Sequence, residues 1–241
     1  MSSVAVAARL DLDAATADLD GAPATDILRW AQACIPRFCV TSSFGADSAV
    51  LLSLVAEVDP DLPVLFLDTG FHFPESLAYR QLLAAQLGLR NVIDIRPTQS
   101  VEEQAHRHGP ALYLRNPDSC CAIRKVAPLD HALADYDGWG SGVRRGQTSE
   151  RAITPVVSRA LQGGRDLVKV APLAAWTNAD VAGHRLLHSL PPHPLTQHGF
   201  NSIGCAPCTR PTLPGEDDRA GRWAGQAKTE CGIHIQLDSP Q

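Results

Sequence analysis

Three short apolar runs, residues 37–42, 64–67 and 91–95, alternate with two stretches of helical character, 49–58 and 74–87, and this rhythm restricts the fold more than any other feature of the chain. Arg37-Phe38-Cys39-Val40-Thr41-Ser42 is β-branched and aromatic, and Val64-Leu65-Phe66-Leu67 is wholly apolar, as strands buried on both faces of a parallel sheet are. Pro74-Glu75 opens the second helix, Gly88 suits its C-cap, and Pro97 closes the third strand. The βαβαβ order predicts an α/β fold with a doubly wound, mostly parallel sheet. Further along, 139–143 reads as a fourth strand, 154–166 as loop, 167–170 as a last strand, and Asn178 as the cap of a helix running to about His188. A helix opened by Asp118 or Ser119 is expected to be interrupted at Pro128. After Pro191-Pro192-His193-Pro194 the chain becomes irregular, with prolines and glycines leaving little room for long helices.

Three loops follow strand ends, where open α/β sheets place ligands. Ser43-Phe44-Gly45-Ala46-Asp47-Ser48 joins the first strand to a helix, so backbone N–H groups and hydroxyls converge at the positive end of the helix dipole and suit an anion. It lacks the Gly-Lys-Ser/Thr ending of a Walker loop. The plainer reading is an ordinary turn with Asp47 or Ser48 as N-cap. Asp68-Thr69-Gly70 ends the second strand, and Arg144-Arg145-Gly146-Gln147 with Arg151 follows the fourth.

Seven cysteines without a basic, apolar leader point to reduced thiols or metal ligands in the cytoplasm rather than a disulfide framework. Cys120-Cys121 and Cys205-x-x-Cys208 supply four soft thiolates, enough for a structural zinc or an iron–sulfur cluster. Adjacent residues on a helix splay by roughly 100°, an awkward bite for one tetrahedral ion, and this favours a cluster whose thiolates bind separate irons. Cys34 and Cys39 flank Pro36 and read as core thiols, and His184 and His188, without a metalloprotease glutamate, as a polar helix face. Cys231 stands apart from every other thiol, after a run rich in arginine and glycine. The net charge of −5 argues against a protein built to grip nucleic acid, and no stretch approaches the roughly 20 apolar residues of a membrane span.

The loop Ser42-Ser43-Phe44-Gly45-Ala46-Asp47-Ser48 and the element Leu67-Asp68-Thr69-Gly70 resemble the modified pyrophosphatase loop and following motif of the adenylyl-sulfate and phosphoadenylyl-sulfate reductases. Cys120-Cys121-x-x-Arg124-Lys125-x-x-Pro128 and Cys205-x-x-Cys208 resemble the bipartite cluster motif of the iron–sulfur branch, and Thr229-Glu230-Cys231-Gly232-Ile233-His234 its catalytic tail. The matches run in shared order from about residue 38 to 234. The resemblance implies an adenine nucleotide α-hydrolase-like fold and an assimilatory adenylyl-sulfate reductase that reduces adenosine 5′-phosphosulfate (APS) to sulfite and AMP. Thioredoxin or a similar dithiol would be the donor, one 4Fe–4S cluster would sit on the four paired cysteines, and Cys231 would form an S-sulfocysteine. The expected units are 1–195, a nucleotide-binding α/β domain with its first 23 or so residues peripheral, and 196–241, carrying the second cysteine pair and the catalytic arm. A homo-oligomer is compatible with this reading.

Attack on a sulfonyl sulfur needs a thiolate, and charge accumulates on the leaving phosphate, so nearby cations stabilise the transition state. Lys125 and the arginines Arg144, Arg145, Arg151, Arg219 and Arg222 are candidates, with Ser42, Ser43, Gly45, Asp47, Ser48, Leu67, Asp68, Thr69 and Gly70 around the nucleotide. His234 would lower the Cys231 pKa if their turn is helical, and Glu230 would oppose it. The segment 219–225 reads as a hinge for the arm. Ala182, and Ala224-Gly225 after Trp223, depart from the family pattern at packing positions. The alternatives are the same chemistry on the 3′-phosphorylated substrate, an ATP-dependent adenylating enzyme of the pyrophosphatase-loop type, disfavoured because Phe44 replaces a glycine, and a zinc-stabilised binding module.

Overall fold

In the computed structural model, which describes residues 6–233, β1 (Phe38–Ser42), β2 (Val64–Leu67), β3 (Val92–Ile95), β4 (Gly138–Gly140), β5 (Val157–Gln162) and β6 (Arg165–Val170) form one sheet in the order β3-β2-β1-β4-β6-β5. Four of its pairings are parallel and only β5 with β6 is antiparallel. The chain winds outward from β1 to β3, then returns to place β4 on the other side of β1, so a crevice opens between the carboxyl ends of β1 and β4. This is the expected doubly wound α/β fold.

The central strands are apolar because both faces are covered. Val40, Val64 and Phe66 face one core with Leu28 of α2 (Ala24–Cys34) and Leu52 of α3 (Ser48–Val58), while Cys39, Leu65, Trp139 and Leu167 face a second with Leu129 and Leu133. β4 fits between β1 and β6 because glycine flanks Trp139: a Cβ at Gly138 would lie 2.5 Å from the Val168 carbonyl oxygen.

Four local expectations are corrected. Of residues 154–166 only the first three are loop: β5 and β6 are a hairpin closed by Gly163-Gly164, both at positive φ (55° and 74°), where a two-residue primed turn needs glycine. Asn116, not Asp118 or Ser119, caps α7 (Pro117–Cys121), accepting the Ser119 N–H at 2.9 Å. Pro128 does not interrupt the helix that follows; the chain passes through a π-helical turn, Ala122–Val126, in which the Ala127 N–H reaches the Ala122 carbonyl, and Pro128 sits in the first turn of α8 (Ala127–Ala132). Thr177 rather than Asn178 caps α9 (Asn178–Leu187), in a capping box with Asp180.

His193, 0 % exposed, ties α4 (Pro74–Leu87) to the segment leading into the site. Its Nδ1 accepts the Leu195 N–H at 3.2 Å, leaving Nε2 3.0 Å from Ser76 Oγ. Burial lowers its pKa to about 4, against a raising influence from Glu75. The unfolded chain, near pKa 6.5, then binds the proton more readily, so stability present above that pH is lost as pH falls toward 4. The loss expected is up to about 3 kcal/mol. Urea unfolding from pH 7 to 4 checks this: the gap between wild type and His193→Gln should narrow as pH falls, and a constant gap would refute it.

Candidate active site

β1 ends at Ser42, and the loop turns through Phe44, whose φ of 48° and full burial against Phe66 (ring centroids 5.5 Å apart) place the side chain in the core and the backbone in the crevice. The Phe44 N–H donates to Ser42 Oγ at 3.1 Å and the Gly45 N–H to Ser48 Oγ at 2.9 Å. Gly45 leaves little room for a side chain, since a Cβ would approach the Ile203 carbonyl oxygen to 3.2 Å. Asp47 stands at the N-cap of α3 without capping it; its carboxylate receives Arg144 Nη2 at 2.7 Å. Burial raises the Asp47 pKa, and Arg144 and Arg185 oppose that.

The loop forms one wall of a cavity of about 340 Å³, within the range of small-molecule sites. Leu51, Val143, Leu173 and Val181 give it an apolar slot, rimmed by Asp47, Arg144, Asn178 and Asp218. Lys125, Arg151, Arg219, Arg222, Trp223 and Cys231 provide a cationic wall. Ser42, Ser43, Gly45, Ser48, Leu67 and Thr69 also line the cavity. Asp68 and Gly70 are not among its lining residues: Asp68 accepts from Arg96 Nε (3.0 Å) and the Gly70 N–H (3.1 Å), and Gly70 turns the chain at φ 72°. Arg145 is held by Asp20 (2.9 Å) and the Thr154 carbonyl. His234 lies outside the described residues. His184 and His188 stack at 4.0 Å between centroids, with His184 Nε2 2.9 Å from Ser53 Oγ, as a helix-packing pair.

Several lining residues escape the sequence reading. His72 follows the Asp68-Thr69-Gly70 turn, and its position was signal enough; Nε2 lies 2.8 Å from the Leu67 carbonyl, and burial lowers its pKa. Asn201-Ser202-Ile203-Gly204 carry no motif. Gly204 leaves the space that the Arg222 guanidinium fills, since a Cβ there would meet it at 2.2 Å and displace it.

Cys231 is 9 % exposed and packs with Cys121, Cys208, Trp223 and Ile233. Trp223, at φ 49°, presents its ring to Arg222 (4.7 Å), Lys228 (5.5 Å) and Lys125 (5.9 Å), and Lys228 pairs with Asp118. The chain is thus folded back so that its isolated thiol meets the cationic wall. Glu230, beside it, is not free to oppose a thiolate: Arg151 clamps it through Nε (2.7 Å) and Nη2 (2.8 Å).

The four paired cysteines converge on an adjoining cavity, with Lys125 lining both. Cys120, Cys121, Cys205 and Cys208 all line a second, small apolar cavity with Phe71, Tyr113, Arg124 and Lys125. Arg124 is fixed by Gln104 (2.8 Å), the Thr69 carbonyl (3.2 Å) and the Ser100 carbonyl (2.6 Å), while Gln104 Nε2 donates to Cys120 Sγ at 3.7 Å and Thr69 Oγ1 lies 3.3 Å from Cys205 Sγ. Burial pushes the thiols of Cys121 and Cys208 up to about 11 and about 12, so thiolates here need a bound cationic group. Among the described residues no three His, Cys, Asp or Glu side chains gather around a single ion. Four thiols around one cavity, without single-ion spacing, fit a group with several metal corners better than one zinc.

A doubly wound, mostly parallel sheet with a small-residue loop and a cavity at its switch point defines an α/β protein of adenine nucleotide α-hydrolase-like fold. Residues 37–211 match the phosphoadenosine phosphosulfate reductase domain, and the chain belongs to that family. The adenosine 5′-phosphosulfate reductase of Streptomyces coelicolor is 47% identical over 218 residues, covering 90% of each chain. That of Mesorhizobium japonicum is 50% identical over 199 residues, 83% of this chain and 76% of its own. Among solved structures, phosphoadenylyl-sulfate reductase from Candida auris superposes with a TM-score of 0.72 at 26% identity, over 83% of this chain and 96% of that one. The FMN adenylyltransferase of Candida glabrata, at 16% identity and TM-score 0.55 over 73% of this chain and 57% of its own, shares the fold alone.

Proposed function

We propose that this protein is an assimilatory adenylyl-sulfate reductase, reducing adenosine 5′-phosphosulfate to sulfite and AMP with electrons from a dithiol donor such as thioredoxin. The observation that carries the reading is the position of Cys231: a thiol distant in sequence from the four paired cysteines, lying on the cationic wall of a nucleotide-sized cavity beside Cys121. Adenine fits the slot of Leu51, Val143, Leu173 and Val181, and the phosphosulfate the wall of Lys125, Arg219 and Arg222.

The Cys231 thiolate attacks the sulfur of the sulfuryl group. The S–O bond to phosphate breaks, its electron pair leaves on AMP, and an S-sulfocysteine remains. Lys125, Arg219 and Arg222 stabilise the charge that gathers on the bridging oxygen. A donor thiolate then attacks Cys231 Sγ, and sulfite departs with the electron pair of the broken S–S bond. The donor's second thiolate displaces Cys231, and the donor leaves as a disulfide, two electrons poorer. Cys120, Cys121, Cys205 and Cys208 would hold a 4Fe–4S cluster, which when bound supplies the cationic centre their buried thiolates require. The 1–195 unit would hold the nucleotide and 196–241 the second cysteine pair and the arm. Among the described residues no helix is long and apolar enough to cross a membrane, in keeping with a cytoplasmic enzyme.

The test is turnover. With thioredoxin and its reductase, the purified protein should release sulfite and AMP in equal amounts from adenosine 5′-phosphosulfate, at least tenfold faster than from its 3′-phosphorylated form. Preference for the phosphorylated form would overturn the substrate, and ATP hydrolysis without sulfite release would overturn the reaction class.

A further inference from the structure

Cys231 as a residue is only 9 % exposed, which leaves a protein dithiol no room to line up on its sulfur, so the arm that carries it must leave the wall before the second half of the reaction. The residue fastening that arm is the one before it. Glu230, itself buried, takes two charge-assisted bonds from Arg151, at 2.7 and 2.8 Å, across 79 residues of sequence. Arg219 Nη2 lies 3.5 Å from the same carboxylate and donates to the Thr229 carbonyl at 3.0 Å. Behind Arg151, Nη1 donates to Gln147 Oε1, which also accepts the Arg144 backbone N–H at 3.1 Å. The backbone immediately before Cys231 is therefore seated on the loop that follows β4, which also holds the cavity wall.

Lys169 of β6 adds a third cation. Burial, with Arg151, brings its pKa down to about 8, while Glu230 and Cys231 pull it upward, so the carboxylate and the thiol share one cationic surround. Gly232, at φ 89°, follows Cys231 at once and lets the chain turn away just past the sulfur.

Resting on the reading of Cys231 as nucleophile, we propose that Glu230 is a positioning residue whose ion pair with Arg151 seats the arm for sulfur attack and parts to expose the sulfonated thiol to the dithiol donor. A buried bidentate pair fixes direction as well as distance, which a contact through Trp223 alone does not. Its parting leaves buried cations uncompensated, so the arm returns once the donor has left.

Glu230→Gln keeps the shape and removes the charge. Three readouts separate positioning from mere structure: AMP affinity, the rate of S-sulfocysteine formation from adenosine 5′-phosphosulfate without donor, and alkylation of Cys231 followed by mass spectrometry with core Cys39 as internal control. AMP affinity should stay within about threefold and adduct formation should slow at least tenfold. Alkylation of Cys231 should speed at least tenfold while Cys39 stays protected, and Arg151→Met should give the same alkylation result. Wild-type rates of adduct formation and alkylation in Glu230→Gln would overturn the proposal. So would Cys39 and Cys231 becoming reactive together, which would make the pair a general prop of the fold. If the wild type forms no adduct while Cys231 alone is unmasked in both variants, the latch stands and the reductase reading fails.

Discussion

Replacing Cys231 by serine is expected to lower kcat by at least ~10⁴-fold and to abolish the S-sulfocysteine adduct while leaving AMP affinity within twofold of wild type. The size follows from the chemistry of the atom. A serine hydroxyl ionises far above a thiol, so at neutral pH it offers no comparable nucleophile. The selectivity follows from where the residue sits. Cys231 touches Cys121, Cys208, Trp223 and Ile233, whereas the apolar slot is built by Leu51, Val143, Leu173 and Val181 from other elements, so the nucleotide site survives the exchange. Lys125→Met should cost less, about 10²- to 10³-fold, because Arg219 and Arg222 share its wall. Intact-protein mass spectrometry after incubation with substrate and no donor reads the adduct, and isothermal titration reads AMP. Persistent adduct in Cys231→Ser would move the nucleophile to another thiol.

The alternation of buried strands and helices was legible because burial on both faces writes continuous apolar runs, as in 37–42 and 64–67. β5 was missed for the opposite reason. As the edge strand it alternates Val157, Ser158, Arg159, Ala160 between covered and exposed positions, and its polar half reads as loop unless Gly163-Gly164 is taken as a primed turn. The cysteine pairs could be found because a ligand set needs particular residue types at short spacing. Glu230 could not be placed so, because its meaning comes from Arg151, which the topology brings to it from the loop after β4. The spacing suggested a carboxylate that disfavours the neighbouring thiolate; the ion pair neutralises it. Asn201 to Gly204 enter the wall by the same long-range route. Sequence thus exposes residues whose chemistry is local, and hides those whose partners are distant.

The second large effect is expected from the paired cysteines. Anaerobically purified protein should be brown with about four irons per chain, and Cys121→Ser, Cys205→Ser or Cys208→Ser should each lose most of the iron and colour. Turnover should fall at least 10²-fold and the thermal midpoint by about 10 °C, the shift that a few kcal/mol produces in a chain this long. The physical ground is the cavity itself: four thiols line an apolar space, and burial raises two of their pKa values to about 11 and about 12. Such thiolates are stable only against bound cationic metal. Serine at any one position leaves three such groups short of a corner. The elements are also joined through this site, since Cys120 and Cys121 end α7 while Cys205 bonds toward Thr69 at the end of β2, so losing the group loosens the wall that holds Lys125. Cys39→Ala is the control: its thiol lies in the sheet core facing the Gly138 carbonyl, away from the cavity, so iron and colour should be unchanged even where stability falls. Stoichiometric zinc without iron in anaerobic wild-type protein would refute the cluster, and iron lost equally from Cys39→Ala would show that it reports only on the fold.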